Sequence, residues 1–162
     1  PKKRRFSNEC FFENGAVILK DMSGNYCYLD LEDFEKIKKY YWSKNSLGYW
    51  RTQFNRKNIY LHQFLLNPPK EVVIDHIDLN KNNNKKENLR ICSQSQNARN
   101  RRLSKNNKSG ISGVGRFKDG FYSEIYINNM RIRKYTTTFE EAVQIRKQFE
   151  EEYFKDFCYK NT

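Results

Sequence analysis

The sequence predicts an α+β fold built from small antiparallel sheets and short helices. Three observations lead there. Short apolar or aromatic runs are separated by hairpin-turn dipeptides, Asn14-Gly15, Asp119-Gly120 and Asn128-Asn129. A long helical pattern near the C-terminus opens on Thr138-Phe139-Glu140-Glu141, a capping box. Among the 162 residues no run of 18 apolar residues occurs, so no transmembrane helix is predicted. Mean hydropathy is low at −1.00, yet 15% of residues are aromatic, which suffices to build a core and argues against a disordered basic tail.

The elements follow in order. Residues 10–20 are β-like around the Asn14-Gly15 turn, and a turn at Ser23-Gly24-Asn25 leads to a strand carrying Tyr26, Tyr28 and Leu29. Residues 31–40 read as a short amphipathic helix, with Asp30 as N-cap and Asp33 in the capping-box position. Residues 49–52 and 59–61 read as strands, and Asn67-Pro68-Pro69 interrupts the chain. Residues 72–77 form a β-branched run, 80–88 a polar loop, 89–92 a second strand, and 93–102 a helix starting at a Ser93 cap. Residues 103–110 are polar and basic. Three strands follow at about 114–117, 121–127 and 130–135. The closing helix reaches about residue 154, with Phe139, Val143, Ile145, Phe149 and Tyr153 as core positions. We therefore divide the chain into an N-terminal segment (1–66), a strand–loop–strand–helix unit (67–102), a basic linker (103–108) and a sheet-plus-helix unit (109–162).

The net charge of +12 points to a polyanion, although charge alone does not separate DNA, RNA and a membrane surface. Residues 101–135 hold nine basic groups against two acidic, whereas residues 61–100 hold six against four. The four cysteines, Cys10, Cys27, Cys92 and Cys158, include no C-x-x-C pair, so a zinc ribbon lacks its spacing and reduced thiols are expected. The basic start, Lys2 to Arg5, is followed by no apolar stretch and does not read as a secretory signal; a cytoplasmic protein is expected.

The candidate chemistry lies in the middle. Asp75 and His76 are adjacent at a strand end, where neighbouring side chains point to opposite faces. A following helix would fold Asn97 back towards Asp75, and a carboxylate with an amide oxygen suits a hard cation. Asp78-x-Asn80-x-Asn82 imitates the start of a calcium loop, but Asn83 and Leu89 stand where Gly and Glu are required, so calcium is rejected there.

Leu61-His62-Gln63-Phe64, Val73-Ile74-Asp75-His76-Ile77-Asp78 and the run from Glu87-Asn88-Leu89-Arg90 to Gln96-Asn97-Ala98-Arg99-Asn100 together resemble the HNH endonuclease family, above all its phage and homing-type members with a ββα-metal site. The resemblance implies a divalent metal, Mg²⁺ or else Mn²⁺, held by Asp75 and Asn97. It implies His76 as the base that activates water and Asn88 as the residue that orients the His76 ring. Asn97 stands where many relatives have His. His62 is left between an active-site and a structural role.

Residues 106–157 resemble the apetala-type DNA-binding domain on Ser109-Gly110-Ile111-Ser112-Gly113-Val114, Phe121-Tyr122-Ser123-Glu124-Ile125 and Thr138-Phe139-Glu140-Glu141-Ala142. The relatives' usual Trp is Phe121 here, and their Leu-Gly pair near Lys134 is missing. Alternation turns Phe121, Ser123, Ile125, Ile127 and Ile132 towards the helix. It turns Tyr122, Glu124, Tyr126, Arg131 and Arg133 outward with Arg116 and Lys118, a face suited to a DNA groove. Arg99, Arg101, Arg102, Lys105 and Lys108 are expected on phosphates.

The combined expectation is a site-selective endonuclease acting on double-stranded DNA, nicking as a monomer or cutting as a homodimer, with no membrane and no small-molecule substrate. The alternative is a catalytically inactive, sequence-specific DNA-binding regulator on the same scaffold.

Overall fold

The computed structural model describes residues 7–157, so Lys2 to Arg5 and Cys158 lie outside the described residues. The chain divides into two compact units between Asn97 and Ala98. The α+β class holds: the elements are small antiparallel sheets and short helices. Among the described residues no helix is long and apolar enough to cross a membrane.

The first unit starts with a three-stranded sheet of β1 (Glu9–Glu13), β2 (Ala16–Lys20) and β3 (Tyr26–Asp30). Asn14 and Gly15 sit at φ 48° and 75°, the left-handed pair that a tight hairpin turn needs. Period-2 alternation sends Val17 and Leu19 of β2 inward opposite Leu29 and Cys27 of β3, all four fully buried. A second sheet follows from β4 (Ser43–Lys44), β5 (Trp50–Phe54) and β6 (Lys57–Tyr60). Trp42 and Trp50 fill the space with Ile37, Leu61 and Leu65. The buried Trp42 indole N–H donates to the Ile37 carbonyl at 2.9 Å, so its burial leaves no orphan donor. Ile74 and Leu89 of the central hairpin belong to this same cluster.

Two local expectations change here. The helix expected over 31–40 is a 3₁₀ turn (Leu31–Asp33) running into α1 (Phe34–Ile37). Asp30 does not cap it, because its Oδ2 instead accepts the backbone N–H of Lys86 at 2.8 Å. The strand expected at 59–61 ends at Tyr60, and Leu61 opens α2 (Leu61–Leu66). Asn67 at φ 42° ends α2 ahead of the two prolines.

The hairpin consists of β7 (Val73–His76) and β8 (Leu89–Cys92), followed by α3 (Gln94–Arg99). The Ser93 cap is real: its Oγ accepts the Gln96 N–H at 3.1 Å, while Gln96 Oε1 accepts the Ser93 N–H at 2.8 Å. Residues 100–102 are not helical, which shortens the expected helix.

In the second unit, β9 (Val114–Phe117), β10 (Gly120–Ile127) and β11 (Met130–Thr136) form a sheet with β10 central, and α4 (Phe139–Phe149) packs on it. The Thr138–Glu141 capping box is complete, with bonds of 3.3 and 3.4 Å. The first hairpin turn lies one residue earlier than expected, at Lys118 (φ 51°) and Asp119. Gly120 is a strand residue, and a Cβ there would stand 2.5 Å from the Thr136 carbonyl oxygen. On α4, Ala142, Arg146 and Phe149 are buried, and a π turn (Glu150–Phe154) shifts the period so that Phe154 is buried too. Arg146 enters the core because its guanidinium donates to the Glu124 carbonyl at 2.6 Å and to Glu150 at 2.8 Å. The polar stretch at 104–114 is a bonded turn: Ser109 Oγ donates to the Val114 carbonyl at 2.6 Å, and Asn107 Oδ1 accepts the Gly110 N–H at 2.7 Å.

Candidate active site

The register of β7 and β8 pairs Asp75 with Arg90 and His76 with Leu89. Successive residues of β7 point to opposite faces, so the two chemical groups receive different surroundings. Asp75 is 4% exposed, and its Oδ2 takes two Arg90 N–H bonds at 2.7 and 2.9 Å. This cross-strand ion pair fixes the carboxylate rotamer. Arg90 is a site residue that the sequence does not single out by motif, although an opposite-charge pair across a hairpin is a legible signal.

His76 is 5% exposed and packs among aromatic rings. The His62 ring stands edge-on to it at 5.3 Å, and Tyr49 lies at 6.3 Å. Burial holds the His76 pKa below the ordinary imidazole value. Asn84, Asp78 and Asp75 oppose that shift, and Lys81 assists it. His62 falls further, to about 4, through burial first and then the neighbouring His76 and Lys81. Both rings are therefore neutral at pH 7, as a base requires.

The loop between the strands is a chain of Asx turns. Asp78 Oδ1 accepts the Asn80 N–H at 2.7 Å, and Asn80 Oδ1 accepts that of Asn82 at 3.1 Å. Here the expectation for Asn88 is corrected. Its amide is spent on the loop itself: Nδ2 donates to Asp78 Oδ1 and to the Asn83 carbonyl, each at 2.8 Å, and Oδ1 accepts the Asp78 N–H at 3.0 Å. The side chain beside the His76 ring is Asn84, whose Oδ1 is 3.3 Å from Nε2. Nothing in the run Asn82-Asn83-Asn84 marks the last as special, so the sequence alone does not find it. Lys81, also missed, spans this side with Nζ 3.9 Å above the Tyr49 ring and 2.9 Å from the Leu47 carbonyl.

Asn97 lies half-buried on α3, its N–H donating to the Ser93 carbonyl at 3.0 Å. The Cys92 thiol relates it to Asp75: burial and the Asp75 carboxylate raise that thiol's pKa, while Arg90 and the Asn97 N–H lower it. Cys10, Cys27 and Cys92 are free thiols. A separate acidic group, Asp30, Glu32 and Asp33, is already neutralised by lysines: Lys36 bonds Asp33 at 2.8 Å, and Lys86 pairs with Glu32 and Asp33.

In the second unit the expected DNA contacts separate. Arg101, Arg102, Lys105 and Lys108 are exposed. Arg99 instead packs 4.6 Å over Phe154 and donates to the Tyr153 carbonyl at 3.3 Å. Tyr122, Glu124, Tyr126, Arg131 and Arg133 share a face, joined by Phe117 and Tyr135, whose rings are 5.0 Å apart. Arg116 does not join them. The two-residue turn pairs it with Phe121, which places it on the helix-facing side, near the edge. Lys118 occupies the turn. Arg133 is committed to Glu124 at 2.9 Å and stacks 4.2 Å from Tyr122, while Arg131 and Tyr126 stand exposed.

No solved structure matches the chain. It is 28% identical over 173 aligned residues to an uncharacterized HNH endonuclease of Acanthamoeba polyphaga mimivirus, an alignment covering 99% of this chain and 90% of that protein. Residues 67–99 match the HNH endonuclease family model, so the hairpin, its Asx loop and α3 are the segment of this chain that is similar to that family.

Proposed function

We propose that the chain is a metal-dependent endonuclease that hydrolyses one phosphodiester of double-stranded DNA per site, nicking as a monomer. The observation that carries this reading is the buried, neutral His76 next to Asp75, within the segment that matches the HNH endonuclease family. His76 takes the proton of the attacking water. Asp75 and Asn97 are the residues to hold a divalent cation, Mg²⁺ or Mn²⁺. Their donor chemistry fits, because both side chains offer oxygen donors, the kind that a hard divalent cation takes. A divalent cation held by Asp75 and Asn97 would supply charge neutralisation for phosphodiester hydrolysis. Asn88 keeps the loop closed behind the base.

The second unit acts in this reading as an apetala-type module that selects and grips DNA. Arg101, Arg102, Lys105 and Lys108 follow phosphates, and Arg131 and Tyr126 address the groove. The test is supercoiled plasmid incubated with protein and Mg²⁺, beside a His76→Ala variant and an EDTA control. Nicked circles from the wild type alone support the proposal. Equal cutting by both proteins removes His76 from the chemistry, and no cutting of any DNA by either removes the enzyme.

A further inference from the structure

We propose, resting on that nuclease reading, that Asn84 is the positioning residue of His76: it holds the ring in the Nε2–H tautomer and thereby assigns water activation to Nδ1. The Asn84 amide can point only one way. Its Nδ2 lies 3.1 Å from the Lys81 carbonyl oxygen and 3.2 Å from Cys27 Sγ. A backbone carbonyl only accepts, so the amide NH₂ has to face it; the flipped amide would set two oxygens against each other. Oδ1 therefore faces His76 Nε2 at 3.3 Å. An acceptor opposite an imidazole nitrogen requires a proton on that nitrogen, and in the neutral ring the lone pair is then on Nδ1.

Asn84 itself has no freedom to turn. It is 1% exposed, and its backbone N–H donates to the Tyr28 carbonyl at 2.8 Å while the Tyr28 N–H donates to the Asn82 carbonyl at 2.8 Å. Residues 82–84 thus bridge in parallel to the outer edge of β3, with Asn83 opposite Tyr28. Asn82 Oδ1 also accepts the Trp50 indole N–H at 3.1 Å, and Asp30 accepts the Lys86 N–H. The N-terminal sheets therefore act on the chemistry at a distance. Cys27 and Tyr28 hold Asn84, and Asn84 orients the base.

The chain has only two histidines, which makes the tautomer directly readable. The full-length protein labelled with ¹⁵N-histidine is studied at pH 7.5 by long-range ¹H–¹⁵N correlation, with His62→Gln assigning the His76 signals. The expected wild-type pattern is Nε2–H with a lone-pair shift at Nδ1. In Asn84→Ala the pattern becomes a tautomer mixture, and the nicking kcat falls about 10- to 100-fold with little change in KM for plasmid. Asn84→Asp, which keeps an acceptor oxygen, retains Nε2–H and recovers part of the rate. An Nδ1–H ring in the wild type overturns the proposal, as does an Asn84→Ala protein with unchanged tautomer and unchanged kcat. If Asn84→Ala does not fold, the wild-type spectrum still decides between the two tautomers. A wild type that shows Nε2–H but cuts no DNA retires the nuclease reading and leaves the Asn84 contact standing.

Discussion

The two units treat their polar groups in opposite ways. In the first, the site groups are buried and already partnered: Asp75 by Arg90, Asn84 by Cys27 and Lys81, and Asn88 by Asp78 and Asn83. In the second, Arg101, Arg102, Lys105, Lys108 and Arg131 stand in solvent. On the proposed nuclease reading, the difference follows from what each task needs. A base and a cation site gain from fixed partners and exclusion of water, because nothing then has to reorganise during reaction. Phosphate binding gains from many mobile charges whose effect comes through counterion release. On that proposed reading one unit serves chemistry and the other grip, and four experiments can break or sharpen that division.

The largest effect is expected for His76→Ala. Nicking should fall roughly 10²- to 10⁴-fold, while DNA affinity by fluorescence anisotropy stays unchanged. A matching loss of affinity would mean that the two tasks are not separable.

Acid should be nearly as costly to the first unit. His62 is 7% exposed, and its pKa falls from 6.5 to about 4 in the fold. Above pH 6.5 both folded and unfolded rings are neutral. Between 6.5 and 4 only the unfolded ring takes up a proton, so stability is lost as pH falls, by about 3 kcal/mol in all. The depressed His76 pKa adds in the same direction. Urea unfolding at pH 7 and pH 4.5 measures this loss, and His62→Gln should flatten it; an undiminished loss in that variant would place the titration elsewhere.

A third effect concerns grip alone. Replacing Arg101, Arg102 and Lys105 with Ala should lower the salt slope of DNA binding by roughly 0.9 for each phosphate that is no longer neutralised. The single-turnover cleavage rate at saturating protein should not move. Impaired cleavage with an unchanged slope would contradict this assignment.

The smallest effect separates two neighbouring arginines. Arg131→Ala should cost about 1 kcal/mol of DNA affinity with no change in Tm. Arg133→Ala should lower Tm instead, because Glu124 and Tyr122 lose their partner. Reversed behaviour would reassign the face.

The sequence makes much of this legible where local chemistry governs. The Asn14-Gly15 turn, the Ser93 cap and the Thr138–Glu141 box act through adjacent residues, and the structure has all three. What escapes the sequence depends on distant partners. Asp30 looks like a cap but serves Lys86, 56 residues away. Arg146 looks like a surface residue but reaches the Glu124 carbonyl. Arg116 changes face because a turn lies one residue earlier than its Asp-Gly dipeptide suggests. Within the site, Asp75 and His76 stand out by type, whereas Asn84 is one asparagine among several and gains its place only through Cys27 and Tyr28.

The pairing of residues 82–84 with Tyr28 has one more consequence. β3 is an outer strand of its sheet, and an unpaired outer strand is a template for joining another chain. The loop that carries Asn84 closes that template. If Asn84 positions the base as proposed, solubility and activity depend on the same three residues, so variants that displace this loop should aggregate as well as lose function, and an assay on the soluble fraction alone would undercount them.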